Sequence, residues 1–137
     1  MTRMGDHALE ADEQVALFEW AKYSEGRYPE LKMMFHVPNG GSRNIIEARN
    51  LKRQGVKAGV PDIFLALASN GYHGLFIEMK RPLGGRVSDQ QTEWLVNLRT
   101  EGYAAYVCQG CEAARRLIMD YISGRELQNG WVYEACC

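Results

Sequence analysis

The chain has 137 residues, of which 46% are hydrophobic and 24% charged, a composition typical of a globular protein with one buried core. Its formal net charge of −1 excludes a general attraction to nucleic acid or membrane, although a local basic patch could still attract DNA. No run approaches the roughly 18 apolar residues of a spanning helix, and the polar N-terminus has no signal-peptide core. We therefore expect one cytoplasmic domain over 1–137, with a core at about 10–122, a tail at 124–137 and no membrane contact.

The hydrophobic pattern predicts the first elements in chain order. Apolar residues at helical spacing predict a helix over 9–24. A short strand over 31–37 follows and ends at the turn sequence "PNGG". Ser42 is placed to cap a second helix that runs to about Gln54, with Gly55 as its C-terminal glycine.

A β-hairpin comes next, because two apolar runs flank the dipeptide Asn70-Gly71, the strongest short-range hairpin signal. Its strands are predicted at about 62–68 and 74–80. Ser88 and Gln91 form an S-x-x-Q capping box that predicts the start of a third helix. A fourth strand over 103–108 and a closing helix over 111–122 complete the pattern, and the last 14 residues either fray or add a small strand.

These elements predict an α/β protein with a mixed four-stranded sheet. The hairpin makes the second and third strands antiparallel. The third helix connects the third and fourth strands as a crossover, so those strands should be parallel and their connection right-handed.

Charged residues at the open end of the hairpin need a separate explanation. With Asn70 at the centre, Asp62 and Glu78 are opposite each other, and Lys80 shares their face while Met79 points to the other layer. Two carboxylates so close repel each other unless a cation lies between them or one takes up a proton. Carboxylate oxygens suit hard ions such as Mg²⁺ or Mn²⁺, and such an ion beside a lysine can activate water and stabilise charge on a phosphate.

The sequence around these residues resembles the VRR-NUC family of nucleases in its compact standalone form. "VPD" followed by "EMK" is similar to the PD-(D/E)-x-K signature of restriction-endonuclease-like nucleases. The flanking blocks "PNGGSR", "LKRQGVKAGVPDIFL", "GLFIEMKRP" and "VSDQQTEWL" resemble VRR-NUC proteins more narrowly, and the similarity runs from about residue 10 to 121. The resemblance implies a restriction-endonuclease-like α/β/α sandwich.

Site residues can be transferred from the family one by one. Asp62 and Glu78 correspond to its metal-binding acids, and Lys80 corresponds to its catalytic lysine. The backbone carbonyl of Met79 would also face the metal. Without the family, the same three charged side chains would be read as a cross-strand ion pair on a solvated sheet face.

Two further positions correspond to functional residues of the family. Gln91 matches the glutamine of its S-x-x-Q, although a capping box alone also explains this residue. Glu10 and Gln14 match an E-x-x-x-Q on the first helix and lie one turn apart. Glu10 would be an additional metal ligand, and its alternative role is a first-turn acid favoured by the helix dipole. His36 and His73 are assigned no function, and Trp94 is expected in the core.

A basic segment leads into the strand that carries Asp62. Such a run is usually a solvated helix face, but its position favours phosphate contacts. The predicted DNA-binding residues are Arg43, Arg49, Lys52, Arg53 and Lys57.

The four cysteines fit a reducing compartment. Cys108 and Cys111 form a C-x-x-C, but the remaining two, Cys136 and Cys137, are adjacent and would make a poor second half of a zinc site. Reduced thiols are therefore favoured over structural zinc.

The charged residues together with the family resemblance thus predict a Mg²⁺- or Mn²⁺-dependent DNA endonuclease, and the resemblance implies that it acts on structured DNA such as Holliday junctions or flaps. The alternatives are a non-catalytic DNA-binding module and a structural interaction protein that keeps the fold. A chain with one site cuts one strand, so resolution of a junction predicts a homodimer. Apolar residues around the first strand could form its interface: Tyr23, Tyr28, Met33, Met34 and Phe35. Burial in the core explains Met34 and Phe35 equally well.

Overall fold

The structure, a computed structural model, describes residues 4–39 and 44–135, with side chains from residue 9 onward. The α-helices are α1 (Met4–Ser24), α2 (Ile45–Arg53), α3 (Asp89–Thr100) and α4 (Cys111–Ser123), and a 3₁₀ helix spans Pro29–Met33. The strands are β1 (Met34–His36), β2 (Ile63–Leu65), β3 (Leu75–Lys80), β4 (Ala104–Gln109) and β5 (Val132–Tyr133).

The strands form one mixed sheet in the order β1-β2-β3-β4-β5, so the predicted count of four is wrong by one. The additional strand, β5, pairs parallel with β4 and is only two residues long, too short to leave an alternating pattern in the sequence. The other pairings confirm the prediction, because β2 is antiparallel to β3 and β3 is parallel to β4. β1 closes one edge of the sheet, antiparallel to β2.

Local sequence signals explain the turns. Asn70 and Gly71 both adopt positive φ, at 55° and 80°, as a tight hairpin turn requires. The first predicted strand is shortened to three residues because Pro29 begins a 3₁₀ turn in its place. Helix α2 is capped by Asn44, whose side chain accepts from the Glu47 backbone N–H at 3.0 Å, and the predicted cap Ser42 lies outside the described residues.

Helices cover both faces of the sheet. Ile77 and Met79 of β3 face a core that Leu17 of α1 and Leu117 of α4 complete. The opposite face is covered by α3, whose Leu95, together with Leu98, packs on Ala105 and Val107 of β4, with Trp94 against the same cluster as predicted. Glu78 and Lys80 alternate with the buried apolar residues of β3, so they lie on the α3 side.

Helix α2 differs from the other three because it contributes no buried residue to either core. Within the part of the chain that the structure describes, no helix is long and apolar enough to cross a membrane.

Candidate catalytic site

The two acids meet where the sequence predicts. Ile63 pairs with Ile77, and one further step in the same antiparallel register places Asp62 opposite Glu78. The Asp62 carboxylate accepts a hydrogen bond from the Met79 backbone N–H at 2.8 Å, which holds it against the end of β3. Asp62 is half-buried, whereas only 2% of Glu78 is exposed.

The two oxygens of Glu78 have very different surroundings. Lys80 Nζ lies 3.6 Å from Oε2, and Gln91 Nε2 donates to the same oxygen at 3.1 Å. The other oxygen, Oε1, is buried and accepts no hydrogen bond from the described residues. The cost of burying this carboxylate is therefore offset by polar contacts at only one of its two oxygens.

That imbalance alters the acidity of Glu78. Burial, followed by the negative charge of Asp62, raises the pKa of Glu78 from 4.5 to about 9. The nearby Lys80 ammonium lowers the pKa but does not cancel the effect of burial. In the absence of a cation, these surroundings favour the protonated form of Glu78.

Gln91 forms the predicted capping box and also contacts Glu78 with the same side chain. Its backbone N–H donates to Ser88 Oγ at 3.1 Å, and its Oε1 accepts from the Ser88 backbone N–H at 2.9 Å, which completes the predicted capping box. The amide nitrogen remains available and donates to Glu78. Because the cap fixes the first turn of α3, it also fixes the direction from which this donor reaches the carboxylate.

Lys80 is the last residue of β3, and only 6% of it is exposed. The following loop lies directly over its side-chain stem. A Cβ on Gly85 would lie 2.7 Å from Lys80 Cβ, so a glycine is needed for this approach. The loop thereby confines the lysine to the vicinity of Glu78.

These side chains border a cavity of about 800 Å³. Glu10 and Gln14 reach it from α1, and the Met79 backbone borders it at the end of β3. Glu10 is not close enough to join the two acids, because the described residues contain no group of three His, Cys, Asp or Glu side chains that could hold a metal ion. The structure brings Glu10 to the cavity but leaves the close carboxylate set at two.

His36 is a cavity residue that the sequence interpretation missed. Its Nδ1 lies 2.8 Å from the Asp62 backbone oxygen and 3.1 Å from the Gln14 side-chain amide. An Nδ1–H that donates to the Asp62 carbonyl fits the shorter contact. The pairing of β1 with β2, which places His36 beside Ile63, is the signal that could have found it.

The predicted DNA-binding residues lie away from the cavity. Arg49, Lys52 and Arg53 are exposed on α2, Lys57 is exposed in the loop that follows, and Arg43 lies outside the described residues. Arginines from a different segment line the cavity: Arg81 and Arg86, on the loop after β3.

The cysteines lie in unequal environments. Cys108 is fully buried in β4, and burial raises the pKa of its thiol. Cys111 is half-buried at the start of α4, where its backbone N–H donates to Glu13 at 2.8 Å. Cys136 and Cys137 lie outside the described residues.

Comparison with known proteins identifies relatives of the chain. A family model described as the VRR-NUC domain matches residues 8–112, a span that contains all the cavity residues named above. A solved structure described as a VRR_NUC domain protein is 31% identical, with a TM-score of 0.71 over 93% of this chain and 97% of that chain. No curated protein matches.

Proposed function

The chain belongs to the VRR-NUC family, a family of nuclease domains, and on that basis we propose that it is a divalent-metal-dependent DNA endonuclease. The single observation that carries the metal dependence is the buried Glu78 Oε1, which has no hydrogen-bond partner among the described residues, in a side chain whose cross-strand neighbour is a second acid, Asp62. A cation between the two acids would satisfy this oxygen and remove the need for a shared proton.

The residues present fit Mg²⁺ or Mn²⁺, because all the candidate ligands are oxygens. Asp62, Glu78 and the Met79 carbonyl would hold the ion, and Glu10, which lines the same cavity, is the proposed further ligand and would have to move toward the two acids to reach it. When bound, the ion supplies a Lewis acid that offsets negative charge on the scissile phosphate.

Lys80 is the proposed catalytic residue of the chain itself. Its ammonium, held beside Glu78 and under the Gly85 loop, orients the attacking water and offsets the charge that develops on the phosphate. In the reaction a bond forms between the water oxygen and phosphorus, and the bond from phosphorus to the leaving nucleoside oxygen breaks. Gln91 keeps Glu78 in place through its hydrogen bond to Oε2.

Structured DNA is the proposed substrate, and Holliday junctions or flaps are the candidates. Basic side chains would contact phosphates outside the cavity. They are exposed on α2 and on the loop after it: Arg49, Lys52, Arg53 and Lys57. For a Holliday junction, paired cuts on two strands require two copies of the site.

A homodimer is therefore part of the proposal. Met34 is buried in the core, but Met33 and Phe35 are each 49% exposed on the edge strand side of the sheet and could pair two copies. Light scattering at micromolar concentration should give about twice the chain mass. A monomeric mass retained in the presence of junction DNA would reject the dimer and favour flap cleavage or nicking.

The activity is tested with labelled junction, flap, duplex and single-stranded DNA, each with Mg²⁺, with Mn²⁺ and with a chelator. We expect metal-dependent cleavage of a branched substrate. Binding without cleavage in every condition would indicate a DNA-binding module, and neither binding nor cleavage would indicate a structural protein.

A further inference from the structure

A second concave surface lies away from the catalytic cavity and shares no residue with it. We call it the α1–α4 groove, because it is bordered by the second half of α1 with the loop that follows and by α4. Its volume is about 650 Å³. The residues that matter below are Trp20, Tyr23, Arg27, Tyr28, Arg115 and Arg116.

Two of the arginines lie over aromatic rings. The Arg115 guanidinium carbon is 5.2 Å from the centre of the Trp20 ring, and that of Arg27 is 5.5 Å from the centre of Tyr28. Neither arginine forms an ion pair within the described part of the chain, and both are exposed. These two cations are therefore available to an anionic ligand.

Arg116 has a different role, because it is already engaged within the protein. Its Nε lies 3.2 Å from the Asp120 carboxylate, and its Nη1 donates to the Ala135 carbonyl at 3.3 Å. The groove contains one acidic side chain, Glu112, so its lining remains cationic even when Arg116 is left out.

Tyr23 presents a nearly free ring beside these cations. It is 92% exposed, so packing within the chain does not explain its position. Flat rings next to guanidinium groups have the chemistry that single-stranded nucleic acid requires, because bases stack on the rings while phosphates contact the cations. The guanidinium groups over Trp20 and Tyr28 place positive charge directly on the aromatic lining, which suits a ligand that carries both flat rings and anionic groups.

The position of the groove relative to the catalytic cavity fits a continuous strand. Glu10 of α1 lines the cavity, and Trp20, ten residues further along the same helix, lines the groove. At about 1.5 Å per residue the axial separation is roughly 15 Å. At about 3.4 Å per nucleotide this corresponds to four or five stacked nucleotides, fewer if the strand is stretched.

We propose that the α1–α4 groove binds a single-stranded DNA arm that extends from the cleavage site. In this proposal, which rests on the proposed nuclease function for its biological substrate, Tyr23 stacks on a base and Arg27 and Arg115 contact phosphates. The groove would thereby favour substrates with an unpaired arm over intact duplex.

The test is the binding of a fluorescein-labelled oligo-dT 15-mer, followed by anisotropy in chelator so that no cleavage occurs. The variant Tyr23→Ala/Arg115→Ala should bind about tenfold more weakly than the wild type, with a shallower salt dependence, and Tyr23→Phe should bind normally because it keeps the ring. Lys22→Ala is the matched control, because Lys22 is an exposed cation on the same helix outside the groove. It should change affinity less than twofold.

Unchanged oligo-dT affinity in the double variant would overturn the proposal. A change in oligomeric mass with unchanged affinity would also overturn it and would mark the groove as an interface between copies. Failure of the proposed function gives a different result, since cleavage would then be absent from all substrates while the groove variants still lose oligo-dT binding. If both hold, the double variant loses cleavage of long-flap DNA but retains cleavage of a flapless branched substrate.

Discussion

Two buried carboxylates at different ends of the molecule show how differently a fold can treat the same chemical group. Glu78 in the catalytic cavity is 2% exposed and Asp120 on α4 is 4% exposed. Both Asp120 oxygens have partners: the Tyr133 hydroxyl donates to Oδ2 at 2.6 Å, Arg116 lies 3.2 Å from the same atom, and Arg125 lies 3.7 Å from Oδ1. Glu78 has partners on one oxygen only.

The difference separates a structural acid from a functional one. Asp120 joins α4 to β5 through Tyr133, so its burial is compensated and it stabilises the C-terminal strand. Glu78 lies against a second acid, and its raised pKa reflects a burial that the protein alone does not compensate. Such perturbed groups concentrate at functional sites because a substrate or ion completes them.

The largest expected effect comes from removing the cation beside the uncompensated acid. Lys80→Ala should lower the cleavage rate by about 10²- to 10⁴-fold, because the ammonium no longer orients water or offsets phosphate charge. The fold and metal binding should be largely retained. Single-turnover cleavage checks the rate and circular dichroism checks the fold, and activity above about a tenth of the wild type would refute the role of Lys80.

Asp120→Asn should have the opposite profile. Removing the charge weakens the contacts with Tyr133 and the two arginines, so the free energy of unfolding should fall by about 1.5–3 kcal/mol. The Arg125 ion pair contributes little to this loss, because the Arg125 side chain is 74% accessible and solvent screens the pair. Urea denaturation measures the loss, and cleavage below the transition should match the wild type. A large loss of activity without a loss of stability would break the distinction between the two acids.

His36→Ala should reduce cleavage by about tenfold, the usual effect of removing a group that supports a ligand. The substitution removes one of two donors to the Asp62 carbonyl, and the other, the Val37 backbone N–H at 2.7 Å, keeps Asp62 in place. His73→Ala is the matched control, because His73 lies outside the cavity. Equal effects of the two substitutions would show that His36 has no special part in the site.

The smallest expected effect is the change in the free energy of unfolding per pH unit. In chelator, the folded state holds the Glu78 proton more tightly than the unfolded chain does. Its contribution is therefore full below the ordinary value of 4.5 and is lost as the pH rises through the raised pKa of about 9. The slope should be at most about 1.4 kcal/mol per pH unit. Thermal or urea unfolding of Glu78→Gln should lack this slope, and an identical slope in that variant would assign it elsewhere.

Much of the site could be predicted because its determinants are local. Asn70-Gly71 marks the hairpin, and strand alternation places Asp62, Glu78 and Lys80 on one face once Ile63 pairs with Ile77. The turn itself pairs Ser69 with Tyr72, one residue out of that register, so the turn alone does not set it. Similarly, the spacing of Ser88 and Gln91 is enough to predict the capping box, although not that the same amide reaches Glu78.

The parts that the sequence left open, such as β5, or missed, such as His36, depend on contacts between distant segments. β5 exists because Tyr133 reaches Asp120 on α4 and pairs with Cys108, and no pattern within two residues records that. His36 enters the site only because β1 pairs with β2. The compensation of Asp120 likewise becomes visible only once α4 and the tail are placed together.

The most direct test of the central claim is calorimetric titration of Mn²⁺ into the wild type near pH 7.5, in buffers of different ionisation enthalpy. Because Glu78 holds a proton that the ion must displace, binding should release roughly one proton per ion. Asp62→Asn should bind more weakly, because the ion then loses one of its two carboxylate ligands. Asp120→Asn should bind as the wild type does. Binding without proton release, or equal affinity in Asp62→Asn, would contradict the assignment of the Asp62–Glu78 pair as the metal site.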